Sequence, residues 1–182
     1  RSATGVNVNP LVQNLTAATD VVTALDSYES ELVDVVGTAT GAFTAAGTAF
    51  TKVQLVTTGV PADVLNKLRL PVTLRDSIDL VAGCQVTVNN TPVGRNLTEA
   101  QYTAITGADL SLSGCPAPTV TAAAAASATQ VTVTFSRNVA ATSVLANGSQ
   151  FTFDNGLTAS AATVSGRTVT LTTSAQTGGT AY

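Results

Sequence analysis

Two cysteines, Cys84 in "LVAGCQVTVNN" and Cys115 in "LSGCPAP", are the only thiols in a chain of 182 residues that contains no histidine, methionine or tryptophan. A structural zinc site takes four protein ligands and a catalytic one takes three and a water, so two cysteines without histidine fall short. Their separation also rules out a Cys-x-x-Cys redox pair. A disulfide formed in an oxidising compartment and a pair of free thiols remain. The disulfide is the expectation, with a loop-closure value of roughly 3 to 4 kcal/mol.

Without histidine there is no base for a Ser-His-Asp or Cys-His nucleophile. Paired carboxylates occur at Glu29 and Glu31 in "YESE" and at Asp76 and Asp79 in "RDSID". Glycoside chemistry needs two carboxyl groups facing each other across a cleft, and neighbours on one strand face read instead as a solvated edge. No catalytic residue is assigned. Calcium requires only oxygen ligands, which makes Asp154 and Asn155 in "FDNG" the candidate metal residues. The alternative there is a type I′ turn, which Asn-Gly favours without metal. For contact with nucleic acid the candidates are Lys52, Arg69 and Arg95. Residues 28–117 hold five bases against eight carboxylates, so a buttress for another domain competes with a binding face.

The elements that must position these groups are short. Hydrophobic residues make up 45% of the chain and charged residues only 10%, a balance that suits a globular, β-rich exported module. Net charge is -3, which gives nucleic-acid binding no support from composition alone. No apolar run reaches the roughly 18 residues of a membrane helix. The start at "RSATGV" reads as a processed or excised piece of a longer product.

Residues 1–27 read as an extended lead-in, with a short helix over 16–25 as an alternative. From Tyr28 the pattern turns to strands: "ELVDVVGTATGAF" and "TAFTKVQLVTT" form a hairpin, followed by a helical turn after Pro61, a strand at "LRLPV", and strands at "GCQVTVNNTPVG" and "EAQYTAITGADLSLSG". Five or so strands in about 90 residues describe a small closed barrel. "CPAPTVTAA" marks a proline-stiffened linker, with a boundary near residue 117. Beyond it, "TAAAAASATQ", "TQVTVTFSRNV", "SQFTFDNG", "LTASAATVSG" and "RTVTLTT" read as strands of a sandwich, the alanine run being its first strand and a helix the alternative.

Residues 118–182, with "VTVTFS", the "TVSGRTVTL" hairpin and the small-residue stretch ending in "TAY", resemble the bacterial Ig-like domain of S-layer proteins and secreted enzymes, and members of that family continue with further strands. Residues 28–117 are similar to the OB-like module of large secreted bacterial nucleases, through "YESELVDVVG", "GCQVTVNN" and "AQYTAITGADL". The resemblance implies an all-β chain: an OB-like barrel followed by an incomplete Ig-like sandwich. It further implies a non-catalytic accessory region of a secreted or cell-surface protein, an extracellular nuclease or phosphoesterase whose catalytic domain lies elsewhere. The partners would then be other domains of the chain or neighbouring envelope proteins. The rival is a structural envelope protein, an S-layer or appendage subunit completed by a neighbour's strand.

Overall fold

Strict alternation of apolar and polar side chains makes strands with one face buried and the other free, and the chain uses that pattern twice. The computed structural model describes residues 7–182. The protein is all-β, built on two sheets. It divides into two compact units, the first ending at Pro116 and the second beginning at Ala117.

The first unit contains β1 (Gln13–Asn14), β2 (Leu32–Ala45), β3 (Phe50–Val56), β4 (Asn66–Pro71), α1 (Val72–Ser77), β5 (Gln85–Asn96), β6 (Glu99–Thr103) and β7 (Leu110–Ser113). Five strands close on themselves in the order β2-β3-β4-β6-β5, with β5 returning to β2. The β4–β6 pairing is parallel, with Leu68 opposite Tyr102, and the other four are antiparallel. Val33, Val35, Val53, Leu55, Leu68, Leu70, Val86, Val88 and Tyr102 point inward and exclude water. Gly37 lets β2 and β3 approach: a Cβ there would lie 2.7 Å from the Val56 carbonyl oxygen.

Residues 13–27 are not an extended lead-in. After the two-residue strand β1 they are turns and a short 3-10 helix, and they bring Leu15, Val21 and Leu25 into the barrel core. Thr16 holds them there, its hydroxyl accepting from the Val36 amide at 2.9 Å and its carbonyl from the Gly59 amide at 3.0 Å. Gly59 passes so close to Ala17 and Ala18 that no side chain fits. The first six residues of the expected lead-in lie outside the described residues. The expected helical turn after Pro61 is replaced by a turn in which the Asp63 carboxylate accepts from the Leu65 amide at 2.8 Å. The helix starts instead after Pro71, whose ring fixes φ at -58° and needs no amide donor.

The second unit is a four-stranded antiparallel sheet, β8 (Val120–Ser127), β9 (Gln130–Phe135), β10 (Ala159–Ser165) and β11 (Thr168–Thr173), in the order β10-β11-β9-β8. The alanine run is therefore a strand. Val131, Val133, Val169 and Leu171 form its buried face, covered by Leu157, Phe151, Phe153 and Tyr182 from irregular segments. Phe151–Phe153 keeps the alternation of a strand but pairs with no other, so the layer opposite the sheet is loop, and the described residues form no second sheet of a sandwich. No helix among the described residues is long and apolar enough to cross a membrane.

Candidate functional site

Cys84 and Cys115 are joined, with their sulfurs 2.11 Å apart. The bridge ties the residue before β5 to the segment leaving β7, and it leaves no free thiol among the described residues. Its contribution is to hold the barrel's exit.

The carboxylate pairs separate. Glu29 accepts from Arg95 Nε at 2.8 Å and Glu31 from Gln13 Nε2 at 3.4 Å. Asp76 pairs with its neighbour Arg75, while Asp79 is buried with a left-handed backbone. Neither pair faces the other across a cleft, so glycoside chemistry has no geometry here. At the "DNG" turn, Asn155 Nδ2 donates to the Ala181 carbonyl at 2.8 Å, and the turn serves to anchor the chain's last residues. No cluster of three or more His, Cys, Asp or Glu side chains gathers around Asp154 or elsewhere among the described residues.

The three nucleic-acid candidates are divided two to one. Arg95 is held by Asp26 and Glu29, and the hydrogen bond to Glu29 is the largest cause of its raised pKa. Its charge is spent on those carboxylates. Lys52 and Arg69 sit directly opposite each other on β3 and β4, on the outward face of the barrel. The alternation that sends Val53, Leu55, Leu68 and Leu70 inward sends Phe50, Lys52, Gln54, Lys67 and Arg69 outward together. Arg69 stacks on the Phe50 ring, its guanidinium carbon 3.8 Å from the ring centroid.

The adjoining strand adds Glu99 and Gln101. Lys52 Nζ donates to both Glu99 oxygens, and Gln101 Nε2 donates to Glu99 Oε2 at 2.8 Å. Burial opposes ionisation of Glu99, but hydrogen bonds from Lys52 and Gln101, with the charge of Lys67, outweigh it and hold the carboxyl below its usual range. Lys67 and Arg69 take no ion pair among the described residues. The face thus carries three cations, one carboxylate and an aromatic ring capped by a guanidinium. Such a surface attracts an extended anionic chain and offers a flat stacked platform beside it.

Lys67, Phe50 and Glu99 complete the face beside the candidates Lys52 and Arg69. The period-2 pattern of "NKLRLP" and "FTKVQLV" carries the signal for Lys67 and Phe50 once the two strands are paired. Glu99, 47 positions from Lys52, gives no local sign. No family model, curated protein or solved structure matches the chain.

Proposed function

We propose that the chain is a non-catalytic accessory region of a secreted or cell-surface protein, an extracellular nuclease whose catalytic domain lies outside these residues, and that its barrel holds single-stranded nucleic acid. The observation that carries the reading is the shared outward face of Lys52, Lys67, Arg69 and Phe50 on β3 and β4. The closed ring of five strands supports an OB-like reading, and in OB-like barrels the second and third strands present the ligand face. Here those strands are β3 and β4. The Cys84–Cys115 bridge supports export, since such bonds persist in oxidising compartments.

The test is fluorescence anisotropy with labelled oligothymidylate across a salt series. Each phosphate neutralised on a single strand contributes about 0.7 to the slope of log affinity against log salt. Replacing Lys67→Ala and Arg69→Ala together is expected to flatten that slope by about 1.4, while Arg95→Ala leaves it unchanged. An unchanged slope in the double variant would refute the reading.

A structural envelope role is favoured by a different observation, the outer edge of β8. That strand pairs with β9 alone, every residue in it is exposed, and neither proline nor charge interrupts it. Native proteins usually protect such edges. Beside it a groove of about 470 Å³ opens between the β8–β9 face and Phe151, Phe153 and Tyr182. In this reading a neighbour's strand adds at β8. Sedimentation over a concentration series then shows assemblies that Ala122→Lys with Ala124→Lys abolishes; a monomer at every concentration rejects it.

A further inference from the structure

Lys52 is the cation of the face that the protein already occupies. Its Nζ lies 2.8 and 2.6 Å from the two oxygens of Glu99, and both side chains of the pair are only 17% exposed. A third group, the Gln101 amide, fixes the carboxylate from the side. Lys67 also feels the Glu99 charge. A surface suited to an anionic strand therefore contains one anion of its own, preorganised on the lysine that a phosphate would otherwise claim. Charge-assisted hydrogen bonds of this length are strong, so an incoming phosphate must displace the carboxylate before it gains Lys52.

We infer that Glu99 sets the selectivity of this face: it competes with ligand phosphates for Lys52, so that an anionic strand is gripped by Lys67 and Arg69 and gains Lys52 only by displacing Glu99. The inference rests on the anion-binding reading of the face. It makes Glu99 a positioning residue that acts through Lys52. It also separates two roles for two lysines of one surface: Lys67 contributes to binding from the outset, and Lys52 is held back. Removing the carboxylate charge should convert a two-cation grip into a three-cation grip.

Glu99→Gln keeps the side-chain length and one acceptor oxygen while removing the charge and replacing the other oxygen with an amide donor. With oligothymidylate as probe, Glu99→Gln is expected to steepen the salt slope by about 0.7 and to tighten binding about tenfold near 20 mM salt, as one further neutralised phosphate requires. Lys52→Ala alone should bind more weakly than the wild type, because it leaves the Glu99 carboxylate unpaired on the face. Lys52→Ala combined with Glu99→Gln should cancel the gain, because the released lysine is gone. Matching circular dichroism and thermal unfolding of the four proteins would exclude a change of fold as the cause.

An unchanged slope in Glu99→Gln, with the wild type binding, overturns the inference and leaves the reading of the face intact. A double variant that still binds more tightly than the wild type also overturns it, since Glu99 would then be acting by general repulsion. Absence of binding in all four proteins overturns the reading of the face and the inference together.

Discussion

Replacing Cys84→Ala and Cys115→Ser lowers the unfolding free energy of the barrel unit by about 3 to 4 kcal/mol. The bridge spans 31 positions, and opening it returns that loop's freedom to the unfolded chain. Alanine is the right replacement at position 84, because the Cys84 side chain is fully buried and a serine hydroxyl there would add an unsatisfied polar group. Cys115 is only half-buried, so serine is tolerated. The loss should concentrate at β7, which pairs with β5 alone through Leu110–Ser113 and is fastened just beyond its end by Cys115. Urea unfolding gives the magnitude, and hydrogen exchange of the β7 amides gives the location. A loss below about 1 kcal/mol would mean that strand pairing and core packing hold β7 unaided.

Truncating Tyr102→Ala costs about 3 to 5 kcal/mol, whereas Tyr102→Phe leaves the barrel equally stable or about 1 kcal/mol more stable. Tyr102 is the largest fully buried side chain among the described residues and lies on β6 opposite both Leu68 of β4 and Val93 of β5. Removing the ring leaves a cavity that strands on three sides cannot collapse to fill. The hydroxyl is another matter. It finds no hydrogen-bond partner among the described residues, and burial, with a smaller effect from Tyr28, pushes its pKa far up. It stays neutral, contributes no bond and pays its desolvation. Urea midpoints of the two variants decide this; a Tyr102→Phe variant destabilised by more than about 1 kcal/mol would show that the hydroxyl is bonded in solution.

Much of the barrel was legible because period-2 alternation is local. "FTKVQLV" and "NKLRLP" each declare an inward and an outward face, and the same pattern marks β9 and β11. Pairing is not local. Nothing in the residues around Leu68 or Tyr102 announces a parallel contact between β4 and β6 across more than thirty positions. Val21 and Leu25 keep a helical i, i+4 spacing that Leu15 does not share, and turns with a short 3-10 helix, not a regular element, carry the three into the core. "SQFTFDNG" shows the opposite failure: Phe151 and Phe153 alternate as a strand should, yet no partner strand is present to make a ladder.

The site divides along the same line. Lys52 and Arg69 meet because two adjacent alternating strands pair in register, a short-range consequence of sequence. Arg95 also sits on a strand, but Asp26 and Glu29 reach it from a segment more than sixty positions away. Its charge was visible in the sequence and its partners were not. Glu99 reaches Lys52 from a separate strand in the same non-local way, and that contact makes the face conditional instead of uniformly basic.

The most direct measurement is a titration of isotope-labelled protein with oligothymidylate, followed by amide and side-chain chemical shifts. One contiguous set of changes is expected on β3, β4 and β6, including Phe50, Lys67, Arg69 and Gln101, with Arg95 and the second unit unmoved. Shifts confined to Arg95 or β8, or no shifts at low salt, would contradict it.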